Sequence, residues 1–146
     1  MNIINIDHYR DDCFIKQYIS KNSNVLVGKH PLMEKHYILS NGTIYSKMKD
    51  ELLKTSKCHG HGGYERIRIK YDQKTKNCRV HRLVAETFID NPENKLEVDH
   101  INTDRYNNNV SNLRWATRKE NMNNLKCHQE IHPDTGEINP NFIYLE

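Results

Sequence analysis

The stretch EVDHINTDRYNNNVSNLRWATRKEN, residues 97–121, carries the pattern that decides the fold. LEVDHI at 96–101 is a short β-prone segment, and LRWA at 113–116 is typical of its antiparallel partner. The connection between them is rich in asparagine, whose side chains satisfy backbone groups in irregular loops. Thr117 and Glu120 have the spacing of a capping box, which starts a helix. The stretch therefore predicts strand, loop, strand and helix in that order.

Three side chains of this stretch have complementary chemistry. Asp99 and Asn121 offer the oxygen ligands that hard divalent cations take, and His100 titrates near neutral pH and can accept a proton. These groups suit hydrolysis of a phosphodiester, which needs an activated water and positive charge beside the reacting phosphate. Neighbouring strand residues point to opposite faces, so Asp99 and His100 share a site only where the strand bends or ends. The long loop from Asn102 predicts such an end.

The segments upstream predict a hairpin, further strands and one helix. YILSNGTIYS at 37–46 has Asn-Gly between two β-prone runs, which is a strong hairpin signal. A lysine-rich turn is predicted over residues 72–77, followed by a short strand at 78–80. VHRLVAETFI at 80–89 changes to helical period, and the Asn-Pro pair that follows it stops the helix. The chain therefore mixes strands and helices.

The segment YERIRIKY, residues 64–71, alternates cationic and apolar side chains. A strand places alternate residues on opposite faces. One face would carry Ile67 and Ile69, and the other would carry Arg66, Arg68 and Lys70. The pattern predicts a strand whose cationic face can lie against phosphates.

Positive charge is concentrated in one part of the chain. The formal net charge is +3 over 146 residues, but residues 47–82 hold eleven basic and four acidic side chains, a local net charge of +7. Such a field attracts polyanions, of which nucleic acid is the commonest inside cells. On charge alone, a solvated lysine-rich surface is an equally good interpretation.

Composition argues against a secreted or membrane protein. Hydrophobic residues make up 36% of the chain, and no apolar run approaches the roughly 20 residues that span a bilayer. The first residues have no signal-peptide pattern, so an intracellular protein is expected.

The four cysteines include no C-x-x-C pair, which argues against a disulfide framework. Two clusters could supply zinc ligands or could be ordinary loop residues: Cys58, His59 and His61, and Cys127, His128 and His132.

The order of these motifs resembles the HNH nucleases with a ββα-metal active site, particularly the small homing-type endonucleases of phages and mobile introns. VHRLVAETFIDNPENKLEVDHINTDRYNNNVSNLRWATRKEN, residues 80–121, is similar to that family's core, with Asp-His, Asn-Leu-x-Trp and Glu-Asn in order. The hairpin and strands upstream resemble the β-rich module that often precedes it. The resemblance implies an α+β fold in which an N-terminal β-rich module is followed by the ββα-metal core.

The resemblance also implies roles for individual residues. His100 would be the general base, and Asn112 would be the asparagine of the catalytic motif that ties the loop to the second strand. Asp99 and Asn121 would be the metal ligands. Many relatives have histidine where this chain has Asn121, and an amide oxygen favours one Mg²⁺ or Mn²⁺ over zinc. His81 is expected to be a packing or hydrogen-bonding residue rather than a ligand.

Several basic residues are candidates for DNA contact. They are Arg66, Arg68, Lys70, Arg82, Arg105, Arg114 and Arg118. The last four either contact phosphates or are merely solvated. The segments are expected to be 1–35, of unclear role, 36–80, a basic DNA-contacting module, 81–126, the nuclease core, and 127–146, a tail.

The function implied is a metal-dependent DNA endonuclease, virus- or phage-encoded and acting inside a host cell on double-stranded DNA without a small-molecule cofactor. One active site per chain makes nicking the simpler expectation. A non-catalytic DNA-binding protein that kept the fold is the main alternative, and an RNA-directed relative is a third. The intact set of Asp99, His100 and Asn121 argues against the binding protein. The sequence leaves open whether the protein is a monomer or a dimer.

Overall fold

The computed structural model of the protein describes residues 3–7, 9–10, 13–58 and 63–130. In that part of the chain the helices and strands are α1 (Phe14–Lys21), β1 (Val27–Gly28), β2 (His36–Leu39), β3 (Ile44–Ser46), β4 (Glu51–Leu52), β5 (Ser56–Lys57), β6 (Glu65–Tyr71), β7 (Lys74–Arg79), α2 (Val80–Phe88), β8 (Glu97–His100), β9 (Leu113–Ala116) and α3 (Arg118–Glu130). A single 3-10 turn, Val110–Asn112, precedes β9. The mixed α+β fold predicted from the sequence is confirmed.

The strands form three antiparallel sheets. The first has the order β1, β2, β3, β4, the second β5, β6, β7, and the third pairs β8 with β9. The hairpin predicted around Asn-Gly joins β2 to β3. Gly42 lies in its turn with φ +88°, and a Cβ there would come within 2.9 Å of the Cβ of Asn108. Because only glycine fits this conformation and this approach, the turn can pack directly on the loop after β8.

The second hairpin corrects one prediction from the sequence. The lysine-rich turn expected over residues 72–77 is in fact two residues long, because Asp72 and Gln73 both have positive φ, 45° and 61°, and reverse the chain tightly. Strand β7 therefore begins at Lys74 instead of residue 78. Its pairing with β6 places Arg66 opposite Arg79, Arg68 opposite Asn77 and Lys70 opposite Thr75.

Two groups of buried apolar side chains hold the elements together. The larger group lies around α2 and draws on all three sheets, through residues such as Ile38, Ile67, Val84 and Leu113. The helical face predicted from the 3.6-residue period is buried as expected. A smaller group packs α1 on the other face of β2 and β3, around Ile15. The alternation of β2 and β3 between these two groups fixes the first sheet against the rest of the protein.

The C-terminal part has the predicted order of strand, loop, strand and helix. Strand β9 has the predicted bounds, and the capping box is present, with Glu120 Oε2 accepting from the Thr117 N–H at 2.7 Å and the Glu120 N–H donating to Thr117 Oγ1 at 3.2 Å. Trp115 is only partly buried against the core, and its Nε1 donates to the Ile89 carbonyl at 2.9 Å. The division of the chain at residues 35, 80 and 126 stays a prediction.

Candidate active site

Strand β8 and helix α3 bring acidic and amide side chains together. Glu97 and Asp99 are two apart on β8 and so share a face. Asn121 and Asn124 are three apart on α3 and also share a face. The Nδ2 of Asn121 donates to Glu97 Oε2 at 2.7 Å, and the Nδ2 of Asn124 donates to Asp99 Oδ1 at 3.1 Å. Two of these four residues, Asp99 and Asn121, are the metal ligands implied by the sequence.

The buried carboxylate of Asp99 is held from the neighbouring strand by an arginine. Arg114 is its cross-strand partner, and the Nε and one terminal nitrogen of Arg114 each lie 2.9 Å from Asp99 Oδ2. Asp99 is 4% exposed. A carboxylate this buried needs such partners, because the desolvation of an unpaired charge is costly. Arg114 therefore acts here as a counter-ion.

His100 is buried and has a defined hydrogen-bond partner. Its Nε2 lies 2.9 Å from Asn108 Oδ1, and the Nδ2 of Asn108 donates to Glu65 Oε2 at 2.8 Å. Because the amide oxygen of Asn108 can only accept, His100 Nε2 carries the proton and Nδ1 is the basic nitrogen. Burial lowers the pKa of His100 below its ordinary value, while the bond to Asn108 and the nearby Asp99 act in the opposite direction. The imidazole is therefore neutral and able to accept a proton at neutral pH.

Asp99 and His100 line the same open pocket although they are neighbours in a strand. Strand β8 ends at His100, and the chain turns at once, with the Thr103 N–H donating to the His100 carbonyl at 2.8 Å. The predicted end of the strand is confirmed. The pocket has a volume of about 240 Å³. Its lining residues are Tyr64, Glu97, Val98, Asp99, His100, Thr103, Arg105, Arg118, Asn121, Met122 and Leu125.

Asn112 lies outside this pocket and holds the loop that shapes it. Its Oδ1 accepts from the Asn102 N–H at 3.0 Å, and its Nδ2 donates to Asn102 Oδ1 and to the Asn107 carbonyl, both at 2.9 Å. The start and the middle of the asparagine-rich loop are thereby tied to Asn112, the residue before β9. This geometry suits the structural role that the resemblance implies for Asn112.

His81, at the start of α2, packs against His100. The ring centroids of the two histidines are 4.9 Å apart, and the Tyr64 ring lies 4.8 Å from His81. Burial lowers the pKa of His81 to about 3, with His100, Arg79 and Arg82 adding to the effect. Among the described residues nothing hydrogen-bonds to its buried Nδ1. His81 is thus a neutral packing residue, as predicted.

The low pKa of His81 predicts a loss of stability in acid. In the unfolded chain His81 has an ordinary pKa near 6.5 and is protonated below that pH. In the folded chain its pKa is about 3, so it stays neutral down to about pH 3. The contribution of neutral His81 to the free energy of unfolding is therefore fully present above pH 6.5. As the pH falls below 6.5, this contribution decreases by up to about 1.4 kcal/mol per pH unit. Urea unfolding at pH 7.5 and pH 5 should show a smaller loss in His81→Phe than in the unchanged protein. Equal losses would contradict the assignment.

The donor atoms of the pocket suit a hard cation. Asp99 and Glu97 carry carboxylate oxygens, and Asn121, whose Nδ2 donates to Glu97, also carries an amide oxygen. Mg²⁺ and Mn²⁺ prefer such oxygen ligands, and Mg²⁺ keeps several waters. Across the described residues there is no group of three or more His, Cys, Asp or Glu that could hold a metal. Carboxylate and amide oxygens such as those beside Asp99 are donors that these cations accept.

The arginines predicted to contact DNA and the possible zinc ligands do not all lie at the pocket. Arg105 and Arg118 line the pocket, and Arg118 also lies 3.3 Å from Glu97 Oε1. Arg82 lies outside it, where its Nε is 3.1 Å from Glu86 Oε1. Cys58 is exposed. The rest of the possible zinc ligands, His59, His61, Cys127, His128 and His132, have side chains outside the described residues.

The reasoning from sequence missed several side chains of the site. Glu97 and Asn124 could have been found from their spacing to Asp99 and Asn121. Asn108 had no local signal among the consecutive asparagines of the loop. Glu65 begins a strand of another sheet, Tyr64 precedes it, and nothing in the sequence joins them to His100.

Comparisons with known proteins point to one family of nucleases. The family model described as HNH endonuclease matches residues 78–123, which hold Asp99, His100, Asn112 and Asn121. Residues 78–123 of this chain are thus an HNH endonuclease segment. An HNH nuclease core therefore begins at the end of β7 and runs into α3. The family generally depends on a divalent metal, in keeping with the oxygen donors of the pocket.

Three relatives show how far the similarity extends. The DNA endonuclease I-HmuI of Bacillus phage SP01 is 41% identical over 92 residues, covering 62% of this chain and 52% of that protein. An HNH endonuclease of Acanthamoeba polyphaga mimivirus is 34% identical over 122 residues, covering 82% of this chain and 36% of its own length. A prophage-derived putative HNH homing endonuclease of Bacillus subtilis is 41% identical over 86 residues, 58% of this chain and 49% of that protein.

A solved structure shares the fold of this HNH protein. This chain matches a solved structure of DNA binding and cleavage by the HNH homing endonuclease I-HmuI. The TM-score is 0.61 and the sequence identity is 33%. The match covers 69% of this chain and 57% of that one. The chain thus spans between about a third and a little over half of the length of these relatives. No helix among the described residues of this HNH chain is long and apolar enough to cross a membrane.

Proposed function

We propose that this chain is a metal-dependent endonuclease that nicks double-stranded DNA. The observation that carries the proposal is the pocket in which Asp99, His100 and Asn121 meet. A neutral imidazole with a free basic nitrogen lies beside oxygen donors for a cation, which is the combination that phosphodiester hydrolysis requires.

The residues of the chain would divide the reaction between them. His100 Nδ1 takes a proton from a water, and that water's oxygen attacks the phosphorus as the bond to the 3′ oxygen breaks. Asp99 and the amide oxygen of Asn121 would hold one Mg²⁺ or Mn²⁺, which supplies Lewis-acid stabilisation of charge on the phosphate and the leaving oxygen. Arg105 and Arg118 lie at the pocket and add positive charge where DNA would enter. The departing oxygen takes its proton from solvent.

The basic sheet formed by β5, β6 and β7 is the proposed docking surface for the DNA backbone. Ile67 and Ile69 are both 3% exposed, whereas Arg68 and Lys70 are exposed on the other face of β6. Arg66 lies directly opposite Arg79, and like charges in that position repel each other. Over the ranges that the structure describes, no acidic side chain forms an ion pair with these cations. A phosphate backbone would supply the missing negative charge.

Removing the two exposed cations should flatten the salt dependence of DNA binding. Each phosphate contact contributes about 0.9 to the slope of log affinity against log salt. Arg68→Gln with Lys70→Gln should therefore lower that slope by about 1.8 and weaken binding to all sequences alike. Fluorescence anisotropy over a salt series would measure it. Lys21→Gln with Lys29→Gln, which removes two exposed lysines elsewhere, is the control, and equal slopes in the two variants would exclude the sheet.

The proposal also assigns a role to each segment of the chain and a cellular location to the protein. Residues 36–80 would contact DNA, 81–126 would cleave it, and 1–35 and 127–146 would flank these two parts. The phage and viral relatives support a virus-encoded protein that acts inside a host cell. With one active site per chain, the product would be a nick.

Conversion of supercoiled plasmid tests the function. With Mg²⁺ or Mn²⁺ the protein should convert supercoiled plasmid to open circles, and EDTA should stop the reaction. Linear product at the same protein concentration would indicate double-strand cleavage instead. DNA binding without conversion under either metal would favour the non-catalytic binding protein.

A further inference from the structure

Glu65, at the start of β6, lies outside the segment matched by the HNH family yet is linked to the proposed base. Its Oε2 accepts from the Nδ2 of Asn108 at 2.8 Å, and its Oε1 accepts from the Thr55 hydroxyl. Both oxygens of the carboxylate are therefore engaged, one from the preceding strand region and one from the loop of the nuclease core. This arrangement fixes the position of the carboxylate between two separate parts of the chain.

Asn108 links Glu65 to His100 through the two ends of its side-chain amide. It is 3% exposed, and its amide has one donating end and one accepting end. The donating end faces Glu65, so the accepting end faces His100 Nε2 at 2.9 Å. A reversed amide would place its oxygen against the carboxylate, which offers no proton. Glu65 thus determines which end of the amide reaches the histidine.

The backbone around Asn108 is held by contacts with the first sheet. The turn at Gly42 packs against Asn108, because a Cβ on Gly42 would come within 3.1 Å of the Asn108 carbonyl oxygen. Two residues further on, the Val110 N–H donates to the Ser40 carbonyl at 2.8 Å. Asn108 is therefore held from the first sheet as well as from β6.

We propose that Glu65 is a positioning residue for the general base. Through Asn108 it keeps the His100 proton on Nε2 and leaves Nδ1 as the nitrogen that accepts a proton from water. The inference rests on the proposed function, in which His100 is the base. It also places this positioning residue on the sheet that is proposed to bind DNA.

Two substitutions at Glu65 separate positioning from simple packing. In Glu65→Gln the side-chain oxygen can still accept from Asn108, so the tautomer of His100 and the cleavage rate should stay close to those of the unchanged protein. In Glu65→Lys the side chain can only donate, so the Asn108 amide should reverse and its NH₂ should face His100 Nε2. The proton of His100 then moves to Nδ1, and cleavage should fall by roughly 10²- to 10⁴-fold, as for loss of the base.

The tautomer is measured directly by long-range ¹H–¹⁵N correlation spectra, which distinguish protonated from unprotonated ring nitrogens. The metal-free full chain is used, and the signals of His100 are identified by their absence in His100→Ala. Anisotropy with DNA checks that Glu65→Lys, which adds positive charge, binds no more weakly. If Glu65→Lys melts early, Glu65→Ala replaces it and should give a mixture of tautomers.

The outcomes of the two measurements are distinct. An Nε2-protonated His100 and unchanged cleavage in Glu65→Lys or Glu65→Ala would overturn the positioning role. Equal loss of cleavage in Glu65→Gln and Glu65→Lys, with the tautomer unchanged, would also overturn it and assign Glu65 to packing. If the unchanged protein cuts no DNA, the proposed function fails, and the tautomer in Glu65→Lys alone decides whether Glu65 orients His100.

Discussion

His100→Ala is expected to bind DNA normally and to cleave it roughly 10²- to 10⁴-fold more slowly. The substitution removes Nδ1, the nitrogen that would accept the proton of the attacking water. The proposed phosphate contacts lie on other residues, so affinity should not change. Single-turnover nicking of plasmid with saturating Mg²⁺ measures the rate, and anisotropy measures the affinity.

The control for this variant is another histidine outside the pocket. His36 is half-buried in β2 and does not line the pocket. His36→Ala should keep the unchanged rate once it is confirmed to be folded. Cleavage by His100→Ala at the unchanged rate would remove His100 from the role of base.

Asp99→Asn should have the second large effect and should act on both metal binding and stability. It replaces an anionic oxygen donor with a neutral one of the same shape, so affinity for Mn²⁺ measured by calorimetry should fall together with cleavage. Arg114 would lose its buried counter-ion, and removal of one hydrogen-bond partner from a buried site costs about 1–3 kcal/mol. Urea unfolding would detect that loss.

A distant acid provides the comparison for Asp99. Glu93 is 72% exposed and lies outside the pocket. Glu93→Gln makes the same charge change and should leave cleavage, Mn²⁺ affinity and stability nearly unchanged. If Asp99→Asn binds Mn²⁺ as tightly as the unchanged protein, Asp99 is not a ligand.

Much of the fold could be predicted because its signals are local. The Asn-Gly turn, the capping box at Thr117 and the 3.6-residue period of α2 each depend on a few consecutive residues, and all three are confirmed. The turn between β6 and β7 was predicted wrongly. Asp72 and Gln73 reverse the chain in two residues, and neither is a glycine that would have signalled positive φ.

The candidate site could be predicted only in part. Asp99, His100 and Asn121 were found because their residue types and order carry the chemistry, and the structure places them on one pocket. Glu65 and Asn108 were missed, because hydrogen bonds between side chains far apart in sequence leave no periodic signal. The role of Arg114 as a counter-ion likewise depends on the register of β8 and β9.

The sequence by itself determined the order of strand, loop, strand and helix, since capping, alternation and turns act over a few neighbours. It also supplied the residue types of the candidate active site. Tertiary structure alone decided how those residues are oriented. The tautomer of His100 depends on Asn108, whose amide is set by Glu65 from another sheet. An amide or an imidazole has two chemically different ends. Which end faces the reaction is fixed only when distant elements pack around it.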